Sequence, residues 1–300
     1  MLSGRESPGI FLHFEPETST QIWKENTMNT ITPAASAVAV SDRPAASARP
    51  TGFVHDTATV FVRESRPLVR DPFSVVFSLV QPLVFLGLFG PLLIGASGGD
   101  VAGTLQWFVP GILVMVALFG TASTGANLLF EMQTGSHERT LVAPLSRSAL
   151  LVGRALKDVV PLVIQGTIVV LVAVPFGFRL NVAGLLAGLV VLAVFGIGFG
   201  ALSYALALAC RNRDWMFWMV HQTLLFPLMI LSGMLLPLDD GPAWMHVAAA
   251  VNPLSYLVGA ERALLAGDFG APAVAGGVIA ATATCVIGIV VGVRAMRRAH

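Results

Sequence analysis

An uninterrupted apolar run from Val182 to Ala209 limits the fold of this chain more than any other feature. The run carries no charged side chain, and it exceeds the roughly 20 residues that a helix needs to cross the hydrocarbon of a bilayer. Inside lipid every backbone amide must find its hydrogen-bond partner within the protein, so such a run is helical. The sequence therefore predicts a membrane-spanning helix here.

Five further apolar runs are long enough to cross a bilayer as helices. Short polar or glycine-rich stretches separate them. Together the six predicted spans are Phe73 to Ile94, Leu105 to Phe130, Val159 to Phe178, Val182 to Ala209, Phe217 to Leu236 and Ala271 to Val293. We expect an all-α integral membrane fold with six transmembrane helices.

Glycines recur at four-residue spacing in two of these spans. Span four carries two such pairs, and span six carries one: Gly184 and Gly188, Gly196 and Gly200, Gly288 and Gly292. Small residues at this spacing lie along one side of a helix and let a neighbouring helix approach closely. We expect close helix packing on one face of span four.

The composition is that of a membrane protein, since 55% of the residues are hydrophobic and only 12% are charged, against about a quarter in soluble domains. The formal net charge is +1. Its cations are spread over separate loops and offer no clustered basic face, so we expect no nucleic-acid partner. Cys210 and Cys285 lie in apolar runs with neither a disulfide framework nor a metal-ligand spacing, so we expect no metal.

The segments outside the spans divide into a tail and short helices. Residues 1–52 are rich in Ser, Thr, Ala and Pro, which predicts a disordered cytoplasmic tail ahead of a transmembrane domain at 53–300. The composition changes at Met28, and we hypothesise that translation starts there; a mature peptide from before Met28 would contradict this. Phe53 to Arg70 mixes apolar and charged residues, which predicts an interfacial helix.

Two pieces between spans five and six are too short to cross a membrane. Ala243 to Val251 and Leu254 to Leu265 are separated by the helix-breaking pair Asn252-Pro253. We expect both pieces to be interfacial or re-entrant helices on the outer side.

Lysine and arginine are distributed unequally between the two sides of the predicted spans. One side holds the cations before span one, between spans two and three, between spans four and five and after span six, whereas only Arg179 and Arg262 fall on the other. Cytoplasmic loops carry the excess of Lys and Arg. This bias predicts that both termini lie in the cytoplasm.

A polar island from Glu131 to Lys157 lies between spans two and three. It is too short to be a domain and too polar for lipid, so we expect it at the cytoplasmic surface, within reach of a soluble partner. An ordinary loop that only turns the chain is the alternative. No phosphate-binding loop of the form G-x-x-x-x-G-K-[ST] occurs in the sequence, so the chain has no obvious means of binding ATP.

Five polar side chains fall inside the predicted spans, where they are costly: Gln81, Asn127, Gln165, His221 and Gln222. They are candidates for a substrate path between helices. The alternative is hydrogen bonding between helices, which contributes only about 0.6 kcal/mol on average. No charged residue falls near the middle of a span, which argues against an ion- or proton-coupled transporter.

Two blocks of sequence resemble the ABC type-2 transporter permeases of the daunorubicin-resistance and nodulation-factor export type. The first block resembles the family's first cytoplasmic loop, and it consists of Glu131, Gly135, Glu138, the run Leu141 to Arg147 and the run Val163 to Gly166. The second resembles the family's fifth span and the outer segment after it, and it consists of Phe226 to Leu238, Pro242 to Trp244 and Val251 to Tyr256.

The resemblance implies a permease that forms a homodimer and binds two copies of a separate ATPase through the polar island. Its coupling residues would be Glu131, Gly135, Glu138, Leu141, Pro144 and Arg147. ATP and Mg²⁺ would be bound by that ATPase and no cofactor by this chain, which would lie in the bacterial cytoplasmic membrane.

The implied function is export of hydrophobic or amphipathic small molecules such as antibiotics. Lipid-linked glycan export is the alternative within the class, and a membrane enzyme acting on lipids or a scaffold without a transport role are alternatives from other classes. A neighbouring gene for a soluble ATPase with a phosphate-binding loop would favour an exporter over the last two.

Overall fold

The structure, a computed structural model, describes residues 57–58, 60–62, 73, 77–134, 152–154, 156–211, 213–238 and 241–298. Within these ranges the chain is helical and contains no β-strand. The α-helices in chain order are α1 (Val80–Ala96), α2 (Val101–Gln133), α3 (Val159–Ala173), α4 (Val182–Ala209), α5 (Asp214–Ile230), α6 (Ala243–Val251), α7 (Pro253–Ala266) and α8 (Pro272–Arg298).

Four helical stretches in the described part of the chain are long and apolar enough to cross a membrane. They are Val101–Gln133, Val152–Phe176, Val182–Ala209 and Pro272–Arg298. Helix α1 is apolar but shorter, with 17 residues. The prediction of an all-helical, multi-pass membrane protein is confirmed for the described residues, and the count of six spans stays a prediction.

Helix α4 begins and ends at the residues predicted from its apolar run. Its first turn is capped by Asn181, whose side-chain oxygen accepts a hydrogen bond from the Gly184 amide at 3.0 Å. Asp100 caps α2 in the same way through the Gly103 amide at 2.9 Å, so this helix begins before the predicted start at Leu105.

Helix α5 ends at Ile230, before the predicted end at Leu236. The Ser232 hydroxyl donates to the Met229 carbonyl at 2.6 Å, and Gly233 has a φ of 69°, a left-handed conformation that stops a helix. The chain then turns back against α2, where a Cβ on Gly111 would lie 2.2 Å from the Met234 carbonyl oxygen. The local turn at Ser232 and Gly233 ends α5, and the packing of Met234 against α2 fixes the direction of the chain after it.

Helix α3 also ends earlier than predicted. It gives way at Ala173 to a single 3-10 turn, Val174–Phe176, and then to Gly177 with a φ of 107°. Pro175 lacks the amide hydrogen that would continue the helix. The predicted tail and most of the interfacial segment Phe53 to Arg70 lie outside the described residues.

Helices α2 and α4 form the centre of the fold. Helix α4 packs against α8, α2, α7 and α3, and α2 also contacts α1, α3 and α7. Fully buried side chains such as Phe108, Ile112 and Phe195 fill the space between them. The remaining helices are arranged around this pair.

The four glycines predicted to share one face of α4 contact two different neighbours. Gly184 and Gly188 face α7, whereas Gly196 and Gly200 face α2 at Thr121 and Thr124. Each four-residue step rotates the row by about 40° around the helix axis, so the second pair points in a different direction from the first. The prediction of a single close-packed face was therefore wrong, while the close packing itself is present.

Helices α4 and α8 meet backbone to backbone at Gly198 and Gly288. A Cβ on Gly288 would lie 2.0 Å from the Gly198 carbonyl oxygen. Because neither backbone can give way as a flexible side chain would, we expect Gly288→Ala to lower stability by about 1–3 kcal/mol. Thermal unfolding in lipid nanodiscs measures this loss.

The matched control is Gly87→Ala in α1, where an added Cβ would meet nothing within 4 Å. This variant should be as stable as the wild type or slightly more stable, because alanine favours helix over glycine. Equal losses in both variants would contradict the packing argument.

Candidate functional site

A half-open cavity of about 1060 Å³ lies between α1, α2 and the start of α3. Its lining follows α2 from Met115 to Glu131, which is roughly 24 Å of helix at 1.5 Å per residue. The hydrocarbon core of a bilayer is about 30 Å thick. The cavity therefore extends over much of the depth that these helices would cross.

The walls of the cavity are apolar and aromatic, with polar groups at intervals. The aromatic side chains are Phe77, Phe85, Phe119 and Phe130. The uncharged polar side chains are Ser78, Gln81, Ser123, Asn127 and Gln165. Such a lining suits a mainly apolar molecule that carries a few hydrogen-bonding groups.

One end of the cavity is charged. Glu131 at the end of α2 and the pair Lys157 and Asp158 ahead of α3 contribute to its lining. Asp158 is buried and accepts a hydrogen bond from the Thr124 hydroxyl of α2. Glu131 and Lys157 are the two end residues of the polar island, and Asp158 directly follows it.

An ion pair joins the two ends of the polar island. The Arg154 guanidinium lies 2.6 Å from the Glu131 carboxylate, and the exposed fractions of the two side chains are 4% and 24%. The guanidinium also lies 5.9 Å from the ring centroid of Tyr204 in α4. Removing one partner of a buried ion pair leaves the other charge uncompensated, at a cost of about 3–5 kcal/mol. The ion pair therefore holds the two ends of the polar island together, and the contact of Arg154 with Tyr204 places them beside α4.

Residues 55–265 match the family described as ABC-2 type transporter. The match covers every residue that lines the cavity and most of the chain. This chain belongs to the ABC-2 type transporter family.

Curated relatives of this ABC-2 chain are named as permeases. The chain is 27% identical over 219 residues to the daunorubicin resistance ABC transporter permease protein DrrB1 of Streptomyces coeruleorubidus, which covers 72% of this chain and 77% of that protein. It is 31% identical over 211 residues to the putative transport permease ycf38 of Cyanophora paradoxa, with coverage of 69% and 72%. It is 26% identical over 157 residues to the probable multidrug ABC transporter permease YbhR of Escherichia coli K12, with coverage of 50% and 41%.

These similarities confirm the predicted resemblance to ABC type-2 permeases of the daunorubicin-resistance type. The nodulation-factor part of that resemblance stays a prediction. Membership of the family implies an ATP-binding partner subunit.

The cavity brings together three of the five polar residues predicted for a substrate path. Gln81 and Asn127 are exposed in it, while Gln165 is buried and donates from Nε2 to the Ser78 hydroxyl at 2.7 Å. That bond links α3 to the residues before α1, which is the interhelical bonding considered as the alternative. Contact of these residues with cargo stays a prediction.

The other two candidates, His221 and Gln222, lie on α5 and do not line this cavity. The His221 ring stacks on Phe217 with centroids 5.4 Å apart and meets the edge of Trp218. Among the predicted coupling residues, the structure describes only Glu131. Gly135, Glu138, Leu141, Pro144 and Arg147 lie outside the described residues.

Two features of the site were not predicted from the sequence. The first is the ion pair of Glu131 with Arg154. The second is a buried bond between α2 and α4, where the Ser203 hydroxyl donates to the Ala122 carbonyl at 2.6 Å and accepts from the Gly125 amide at 3.1 Å. The sequence did carry a signal for the second feature. Ser203 lies among the small residues of α4, and serine in such a pattern commonly bonds to a neighbouring membrane helix.

Proposed function

We propose that this chain is the permease subunit of an ATP-driven exporter of hydrophobic or amphipathic small molecules, such as drugs or antibiotics. The cavity carries the proposal, because its aromatic walls suit an apolar body and its amides and charged end suit a polar group. Family membership and relatives named for daunorubicin resistance and multidrug transport support the same class of cargo. Lipid-linked glycan export is the alternative.

Cargo enters this cavity from the cytoplasmic side of the bilayer. The charged end lies beside the polar island, which the distribution of Lys and Arg places inside. From there the lining becomes more apolar along α2 toward Met115. Gln81, Asn127 and Gln165 supply the hydrogen-bonding groups along this path.

The proposed topology has six spans in the bacterial cytoplasmic membrane, with both termini in the cytoplasm. Phe73, Phe77 and Ser78 ahead of α1 are also helical, which favours a longer first helix. Helices α6 and α7 are re-entrant or interfacial on the outer side. In support, Asn252 at the break between these two helices is buried, and its side-chain amide donates to the Leu228 carbonyl at 2.7 Å. The break is therefore packed against protein, as non-helical backbone in a membrane has to be.

The working unit is a homodimer with two ATPase subunits. Helices α1 and α5 expose large apolar side chains, including Leu88, Leu92, Trp215 and Leu224, which a second copy or lipid must cover. The polar island docks on the ATPase, and that subunit holds ATP and Mg²⁺. This chain transmits the resulting motion to the cavity and catalyses no reaction itself.

Topology is tested with a reporter that is active only outside the cytoplasm. Fusions after Asp100, Asn181 or Asp268 should be active, because the proposed orientation places these connections outside. Fusions after Ser146 or Arg213 should be silent. The opposite pattern at any two sites would overturn the orientation.

Filling the cavity should block export. Gly120 lines the cavity, and an added Cβ there would meet nothing within 4 Å, so Gly120→Trp places its ring in the open space. In cells that also produce the ATPase, we expect doxorubicin efflux to fall about tenfold or more, equivalent to at least about 1.4 kcal/mol. Amounts of permease and bound ATPase should stay at wild-type levels.

The control for this variant is Ala283→Trp, which adds a similar volume at an exposed position of α8. Its efflux should match the wild type. Wild-type efflux in Gly120→Trp would show that cargo does not use the cavity, and a panel of lipid-linked glycans assayed in parallel would test the alternative cargo.

Docking of the ATPase is tested with Glu138→Lys, which reverses a charge in the polar island. Native mass spectrometry of the wild type should show two permeases with two ATPases. The variant should keep the permease dimer but lose bound ATPase and export, with a coupling change on the order of 1–3 kcal/mol. Wild-type assembly and export in this variant would mean that the island is an ordinary loop.

A further inference from the structure

Glu261 is a fully buried carboxyl group in α7. Its exposed fraction is 0%, and neither carboxylate oxygen has a hydrogen-bond partner among the described residues. Burying a charge without a partner is one of the costliest events in a folded protein, and buried polar groups are rarely left unsatisfied. This carboxyl group therefore needs a physical explanation.

The carboxyl group lies directly against the backbone of α4. A Cβ on Gly188 would lie 2.2 Å from the Glu261 Oε2 atom, so only glycine leaves room for the acid. One turn earlier, a Cβ on Gly184 would lie 1.9 Å from the Leu264 carbonyl oxygen. The acid is thus enclosed in the contact between α7 and α4.

The helices packed against α7 bring no charged group to this contact. Helix α4 has no charged residue and its Tyr204 lies 16 residues from Gly188, roughly 24 Å along the axis. Glu131 of α2 and Arg294, Arg297 and Arg298 of α8 lie at the far ends of their helices, and Cys285 of α8 lies against Gly198. His246 of α6 contacts the Gly241 carbonyl instead.

The two other titratable side chains of α7 are turned elsewhere. Arg262 donates from Nε to the Trp107 carbonyl at 3.0 Å and from an Nη atom to the Gly233 carbonyl at 2.8 Å. Its guanidinium lies 4.1 Å from the centroid of the Trp107 ring. Tyr256 donates its hydroxyl to the Ala250 carbonyl. In the described part of the chain, no cation compensates Glu261.

We propose that Glu261 is a proton-binding site and that its bound proton holds α7 against α4. A neutral carboxylic acid fits this contact, whereas a carboxylate would require water or a cation to enter or α7 to move away. Burial raises the pKa of Glu261 from 4.5 to about 8. The stabilisation of the docked helix is complete below about pH 4.5, falls as the pH rises and is lost by about pH 8.

Release of α7 would alter the outer end of the bundle. Helix α7 is bonded to α2 through Arg262 and to the end of α5 through Ser255, whose hydroxyl donates to the Leu231 carbonyl at 3.2 Å. A proton on one side chain thus controls a helix that joins three others. The proposed topology places this end of the bundle at the outer surface, so on that topology the proton comes from outside the cell.

Infrared spectroscopy of the full-length chain in nanodiscs, titrated from about pH 5 to about pH 9, tests the proton site. Wild type should show a protonated carboxylic acid band that disappears with a midpoint near pH 8. The band should be missing in Glu261→Gln and in Glu261→Leu, which keeps the test valid if the amide does not fold. It should persist in Asp268→Asn, which removes a carboxylate just beyond the end of α7.

Hydrogen exchange of α7 amides, corrected for the intrinsic pH effect, tests the docking. Wild-type protection should fall as the pH rises from about 5 to about 8, while protection in Glu261→Gln should not change. Identical infrared and exchange profiles in wild type and Glu261→Gln would overturn the proposal. Neither readout involves transport, so a failure of the proton-site proposal is distinguishable from a failure of the exporter proposal.

Discussion

Backbone contact at glycine is the constraint on which the rest of this bundle depends. Lipid is as apolar as a leucine side chain, so helices in a membrane gain little by burying apolar surface against one another and associate through close packing instead. Helix α4 meets α8 at Gly198, α7 at Gly184 and Gly188, and α2 at Gly196. Because α2 and α7 are positioned by the same helix, the cavity and the buried acid both depend on these contacts.

Polar bonds then fix the two ends of the bundle in different ways. At the end near the polar island, Glu131 and Arg154 form an ion pair that joins α2 to the residues ahead of α3. At the other end, Arg262 is bonded to backbone carbonyls of α2 and of the turn after α5. The cavity between α1, α2 and α3 is crossed by neutral or single-charge hydrogen bonds instead. Gln165 of α3 is bonded to Ser78 ahead of α1, and Thr124 of α2 is bonded to Asp158 ahead of α3.

The sequence predicted those parts of the fold that local chemistry determines. The apolar run was enough to place α4, and the pair Asn252-Pro253 was enough to separate α6 from α7. The end of α5 was not predicted, because the residues after Gly233 are as apolar as the helix and leave it to pack as a turn, with Met234 against Gly111 of a distant helix. The meeting of Gln81, Asn127 and Gln165 in one cavity also depends on three helices, and no spacing within one helix encodes it.

Glu261 shows why a sequence argument restricted to spanning segments was incomplete. It lies four residues after Leu257 and three before Leu264, so helical periodicity already placed it on the apolar face of a short helix. Keeping its carboxyl group neutral at about pH 7, when the ordinary pKa is 4.5, costs about 3 kcal/mol at roughly 1.36 kcal/mol per pKa unit. Burying the same group as an unpaired ion costs several kcal/mol at least. Glu131 is compensated by Arg154, whereas Glu261 has no cation within reach among the described residues. For Glu261, protonation therefore costs less free energy than burial of the unpaired carboxylate.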